Sequence, residues 1–194
     1  MTPVHTRAPG DSWITIPIGD EWSSMFRSFT RAAFRLETLQ AYAEPSEADA
    51  FARFLRGEPP PPMWMSEWCS MVKNHIASGR AMRRVHVVNL PLGDYLNFEI
   101  RWGYLKTSEA GEDIRLIDRA TLSPEVERIT REDFWFFDGS TVMINDYTPA
   151  GTLYQARITR DPALVSRYAE REREVWERAV SFKKFYEDAT GEVL

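Results

Sequence analysis

Apolar positions at Trp22, Met25, Phe26, Phe29 and Ala33 recur every three or four residues behind Asp20, the spacing and cap of a helix. The continuation FRLETLQAY is open. It prolongs this helix, or it becomes a strand in which Phe34 and Leu36 alternate with Arg35 and Glu37. Ser46, with Asp49 three residues on and Phe51, Phe54 and Leu55 behind, predicts a short capped helix that stops at Gly57. Prolines 59–62 lack amide donors and restrict their own φ, which predicts an extended polyproline segment, read as a spacer with a ligand for an aromatic groove as the alternative. Ser66 then caps a helix with Trp68, Val72, His75 and Ile76 inward and Gly79 at its end. RRVHVVNL reads as a strand, and Pro91-Leu-Gly leads into a helix carrying Tyr95, Phe98 and Trp102, with Gly103 and Gly111 near its end. EDIRLID is the next strand. Helix, strand, helix, strand in that order implies parallel neighbours joined by a right-handed crossover.

The pattern changes at DFWFFDGSTVMI. Residues 134–137 are apolar on both faces, as in a central strand, Asp138-Gly139 is a hairpin signal, and Val142 begins a partner strand. A third run, residues 153–158, follows the turn around Pro149 and Gly151. Asp161-Pro162 opens one long helix with Val165, Tyr168, Val175, Trp176, Ala179 and Phe182 on one side, running towards Glu187. Acids and bases nearly balance on its other side, from Glu170 to Arg178, as on a solvated face. The fold class is therefore α/β or α+β. A single domain holds a mixed sheet with a parallel βαβ part, an antiparallel hairpin and a long C-terminal helix.

Composition bounds this picture without redirecting it. The chain has 194 residues, 43% hydrophobic and 13% aromatic, enough for one packed core. Residues 1–20, with Pro3, Pro9, Gly10, Pro17 and Gly19, read as a loosely attached arm, and residues 21–194 as the globular domain. No apolar run approaches the roughly 18 residues of a membrane span. No basic stretch followed by an apolar one opens the chain, so a soluble cytoplasmic protein is expected. A formal charge of -5 gives no whole-molecule attraction for polyanions. The lone Cys69, beside Trp68, is read as a small core residue and excludes an internal disulfide.

Sequence motifs for nucleotide or acyl chemistry are missing: there is no GxxxxGK[ST], GxGxxG or GxSxG. His5, His75 and His86 share no metal-ligand spacing; His75 and His86 are read as partly buried or surface residues, and no metal or cofactor is assigned. Glu109, Glu112 and Asp113 form an acidic cluster read as a solvated loop, with Arg84, Arg101 or Arg115 as ion-pair partners and an acid/base pair as the alternative. Tyr95, Phe98 and Trp102 share a helical face while Glu99 and Arg101 point elsewhere. A ligand pocket, if present, is expected in the loops after the parallel strands. The candidate ligand-binding set is Asn89, Asp94, Tyr95, Trp102, Asp118, Asp133 and Asp138, with no catalytic residue assigned.

Six stretches resemble an uncharacterised family of actinomycete proteins often encoded beside helix-turn-helix regulators. They are AFRLE (33–37), FLRGE (54–58), RVHVVNLPLGDYLNFEIRWGY (84–104), EAGEDIR (109–115), DFWFFD (133–138) and DPALVSRY (161–168). The resemblance implies a regulatory neighbourhood and no particular reaction. The order of elements also resembles the phospholipase D-like fold, whose active members carry His-x-Lys-x-x-x-x-Asp on a strand, with a histidine nucleophile and a phosphate-holding lysine. With Asp138 as the last member of that pattern, Arg131 stands at the histidine and Asp133 at the lysine, so both roles are lost.

These observations lead to the expectation of a non-enzymatic regulatory or interaction domain that senses a small ligand and acts with a helix-turn-helix regulator. Two alternatives accompany it. One is an enzyme using the carboxylates of Glu99, Glu109 and Asp138; the other is direct nucleic-acid binding through Arg80, Arg83 and Arg84, against which the acidic charge counts.

Overall fold

The computed structural model describes residues 12–194. In chain order its elements are β1 (Ile14–Pro17), α1 (Asp20–Ser28), β2 (Ala32–Glu37), α2 (Ala48–Leu55), α3 (Ser66–Ala77), β3 (Ala81–Val88) and α4 (Asp94–Phe98). A π-helical turn, Glu99–Tyr104, continues α4 directly into α5 (Leu105–Glu109). Then come β4 (Asp113–Asp118), α6 (Pro124–Ile129), β5 (Phe134–Phe137), β6 (Thr141–Tyr147), β7 (Leu153–Thr159), α7 (Pro162–Arg178), β8 (Val180–Ser181) and α8 (Phe182–Thr190). One eight-stranded sheet results, in the order β1-β7-β6-β5-β2-β3-β4-β8. β2, β3 and β4 are parallel neighbours, and every other pairing is antiparallel.

The open choice at FRLETLQAY resolves to a strand. β2 is central, and its alternation sends Phe34 and Leu36 to one face of the sheet and Arg35 and Glu37 to the other. Phe34 and Leu36 join Val85, Val87, Phe134 and Phe136 in a core covered by Tyr168 and Val175 of α7. Trp135 and Phe137 of β5 turn to the opposite face with Met82 and Met143, under Phe26 of α1 and Val72 of α3. A strand covered on both faces needs apolar side chains on both, which is why FWFF is buried throughout.

Several expectations are corrected. Residues 14–17, read as part of a loose arm, are β1, paired to β7, with Ile16 fully buried; residues 1–11 lie outside the described residues. Ser46 lies inside a 3-10 turn (Pro45–Glu47) and makes no cap hydrogen bond, and the cap position before α3 is Met65 rather than Ser66. Gly103 lies within the helical run instead of near its end. The long C-terminal helix is interrupted: Ala179 is extended, β8 pairs with the outer edge of β4, and Ser181 caps α8. Covering that edge lets Phe182 pack beside Leu116 and Ile100. Asp161 does cap α7, accepting from the Ala163 and Leu164 amides at 3.0 and 3.1 Å.

Candidate functional site

The face of the sheet carrying Arg35 and Glu37 is not wholly apolar. Register sets Arg35 beside Arg84 and Glu37 beside His86 across β2 and β3, and all four are buried. Unpaired charges in such a place would cost several kcal/mol each, and the structure supplies counter-charges from three further segments, at Glu99, Glu112 and Asp133. Arg84 donates through Nη1 to Glu37 Oε2 at 2.7 Å and through Nε to Glu112 Oε1 at 2.9 Å. Arg35 Nη2 lies 3.4 Å from Glu37 Oε1 and 3.3 Å from Asp133 Oδ2, and donates to Tyr147 Oη at 2.9 Å. Asp133 also accepts from the Thr38 amide and hydroxyl and from Tyr42 Oη. Burial alone would raise Glu37, yet Arg84 and Arg35 hold it down to about 2.

His86 is wholly buried, which corrects the expectation of a partly buried or surface residue. Its Nε2 stands 2.8 Å from the Leu39 carbonyl and its Nδ1 2.7 Å from Tyr104 Oη, while Tyr104 donates its one proton to Glu37 Oε2 at 2.8 Å. Nδ1–H must then donate to the tyrosine oxygen, so this network holds an imidazolium. Burial opposes that charge, and Glu99 and Glu37 outweigh it, raising the histidine above its usual range.

The π turn builds the fourth side. An i→i+5 turn is wider than an α turn and brings residues five apart towards one face. Glu99 and Tyr104, its first and last residues, both reach the network, so Glu99 points inward rather than away. Glu99 is 9% exposed; its Oε2 lies 3.4 Å from His86 Nδ1 and has no hydrogen-bond partner among the described residues. Beside it Glu47 accepts from Tyr95 Oη at 2.7 Å, and burial together with the nearby Glu99 pushes Glu47 up to about 7.

This network floors a cavity of about 830 Å³ walled by α1, α3 and the helical run from α4. Four tryptophans and four tyrosines line it, and among its charged side chains are five glutamates and three arginines. Gly103 lines the cavity without a side chain; a Cβ there would be in contact with Glu99 Cγ at 3.6 Å, Met65 Sδ at 3.8 Å and Trp64 Cη2 at 4.0 Å, so a larger side chain would crowd this wall. Glu37, His86 and Glu99 each offer a ligand atom, all within 4.8 Å of one another, close enough for a common metal ion. Such an ion would displace Tyr104 from His86 and would meet both Arg84 and Arg35 beside Glu37.

Of the sequence-derived candidates, Tyr95 lines this cavity, and Asp133 lies in the network beneath it. Trp102 packs behind the wall on Phe54, Trp64 and Phe98. Asn89, Asp94 and Asp118 do not line this cavity. Asn89 accepts from Arg119, Asp118 caps a 3-10 turn and lines a separate pocket by Leu90, and Asp94 is exposed at the start of α4. Asp138 stands in the β5–β6 hairpin turn that Asp-Gly signalled, at the far end of β5 from Asp133, and its carboxylate accepts from the amides of Thr30, Arg31 and Ala32. Burial opposes its ionisation, and those amides more than compensate, so its pKa is lowered.

In the acidic cluster, Glu109 and Asp113 are exposed, while Glu112 is buried on Arg84 instead of lying in a solvated loop. Arg80, Arg83 and Arg84 do not share a surface. Arg84 is buried, Arg83 packs on Trp176 and Glu172, and Arg80 binds His75. Cys69 is partly buried against the α1/α3 core.

Arg35, Glu37, Tyr42, Glu47, His86, Tyr104 and Tyr147 were missing from the candidate set. One signal for them was present: charged residues alternating with apolar ones in AFRLE and RVHVV place charge on a single face of strands whose other positions are core.

In fold the chain is similar to phospholipase D-like structures. Nuc from Salmonella typhimurium, a phospholipase D family member, matches with a TM-score of 0.52 at 11% identity, over 86% of this chain and 93% of that one. NucT from Helicobacter pylori matches with a TM-score of 0.50 at 9% identity, over 87% and 98%. The chain itself belongs to the family described as Domain of unknown function (DUF6879), whose model matches residues 20–187. No curated protein sequence matches it. No helix of the described residues is long and apolar enough to cross a membrane.

Proposed function

We propose that this protein is a small-ligand-binding module on a phospholipase D-like fold, without the phosphodiesterase pair, and that ligand occupancy is its signal. The supporting observation is the buried charge network opening into the cavity. Packing alone would be served as well by apolar residues of similar volume, whereas a charged floor under a cavity of about 830 Å³ suits a specific ligand. Asp133, at the position of the lysine that would hold phosphate, is committed to Arg35, Thr38 and Tyr42. Arg131, at the position of the nucleophile, is exposed.

Gly103→Leu tests this reading, because it fills the cavity wall without changing charge. After incubation with cell extract, native mass spectrometry is expected to find a small molecule retained by the wild-type chain and lost from a folded Gly103→Leu protein. Equal retention by both, or none by the wild type, removes the reading. The regulator partnership implied by the family resemblance is the proposed output. Co-expression with a helix-turn-helix regulator of the kind often encoded beside the resembling family tests it, and no complex with or without extract counts against it.

Glu47 favours a second reading, acid/base catalysis on the bound molecule, since a carboxyl near 7 can both give and take a proton. Mass-spectrometric appearance of a changed product, absent in Glu47→Gln, separates turnover from binding.

A further inference from the structure

The network is short of positive charge. Arg35 and Arg84 face Glu37, Glu112 and Asp133, and the His86 imidazolium stands between Glu37 and Glu99. Glu44 and Glu47 then add two more carboxyls on the cavity wall. Glu99, nine-tenths buried beside Gly103, accepts no hydrogen bond at Oε2 among the described residues, and its counter-charge there, the His86 imidazolium 3.4 Å away, is shared with Glu37. Buried acceptors in excess call for a cation. The cavity is far larger than a bare ion and is walled by indole and phenol rings, whose faces attract organic cations. A divalent metal at Glu37, His86 and Glu99 is opposed by the two guanidinium groups already on Glu37.

We infer that the ligand of this cavity is a small organic cation, an ammonium or guanidinium compound, whose charged end seats against Glu99 and Glu47 on the wall that Gly103 lines. This rests on the small-ligand reading above. Arg35 Nε and Trp135 Nε1, buried donors without hydrogen-bond partners among the described residues, suit a hydroxyl or carbonyl oxygen elsewhere on the same molecule.

The test is titration calorimetry and thermal shift on the full chain with 1,4-diaminobutane, agmatine and tetramethylammonium. Butane-1,4-diol, glycerol phosphate, magnesium chloride and zinc chloride serve as the neutral, anionic and metal arms. At least one amine is expected to bind below millimolar concentration, at least ten-fold more weakly to Glu99→Gln and to Glu47→Gln, and undetectably to Gly103→Leu. Folding of each variant is checked by circular dichroism, and the two isosteric glutamine variants test the seat separately. If only the neutral or the anionic probe binds, and Gly103→Leu blocks it, the cation inference falls while the ligand-binding reading stands. Binding of zinc or magnesium without any amine assigns the site to a metal and overturns the inference, as does silence of all probes at 10 mM. In that last case, retention from extract still decides the broader reading.

Discussion

Arg84 on β3 and Glu112, just before β4, form a buried ion pair, Nε to Oε1 at 2.9 Å, with the glutamate side chain fully enclosed. The same guanidinium also neutralises Glu37, so one side chain holds two carboxylates of the network. Removing it leaves both without their nearest counter-charge.

Arg84→Met is therefore expected to cost about 3–5 kcal/mol in urea unfolding, the range for breaking a buried pair from one side. The double variant Arg84→Met/Glu112→Gln should recover at least about 1 kcal/mol of that loss, because one of the stranded charges is gone. A single variant within about 1 kcal/mol of wild type would show that the pair is not buried as described.

Stability should also depend on pH through Glu47. Its folded-state pKa, about 7, lies above the ordinary 4.5 because of burial and the neighbouring Glu99, Glu44 and Glu37, even though Tyr95 donates a hydrogen bond to it. A carboxyl raised in this way contributes stability that is complete below about 4.5 and disappears as pH rises through 7, roughly 3 kcal/mol in all. Glu37 acts in the opposite sense, its contribution being lost only as pH falls from 4.5 towards 2. Glu47→Gln should therefore flatten the fall in melting temperature between pH 5 and 8. An unchanged slope would contradict the assignment.

Asp138 is expected to matter for folding and not for the cavity. Its left-handed φ of 55° sits beside Gly139 at 68°, and its carboxylate bonds to the amides entering β2. Asp138→Ala should destabilise by about 2–3 kcal/mol and speed amide exchange at Thr30, Arg31 and Ala32, with Asp138→Asn costing less. Ligand retention by a folded Asp138→Asn protein should match wild type.

Phosphodiesterase chemistry should be absent and not simply restorable. The wild type is expected to leave bis(4-nitrophenyl) phosphate intact, and Arg131→His/Asp133→Lys should unfold more readily without gaining turnover. A lysine at 133 would place its ammonium against Arg35 in the buried network. Hydrolysis by the double variant would show that this fold still holds a working phosphoryl site.

The elements themselves were legible because they depend on local pattern. FWFF reads as a strand covered on both faces, DPALVSRY as a capped helix, and RVHVVNL followed by DYLNF as half of a crossover. The site was only faintly legible. Glu99 stands four residues after Tyr95, which on a period of 3.6 already sets it near that face, and the π turn brings Tyr104 to the same side. Glu47, Glu37, Glu99 and Asp133 lie on segments far apart in sequence, and what joins them is strand register and helix placement, which local pattern does not encode. By itself the sequence determined which segments become strands and helices, since side-chain type and spacing act within a few residues. The tertiary structure alone decided that Arg35, Arg84, His86 and their acids share one buried floor, because long-range pairing sets which side chains meet and how strongly burial makes them interact.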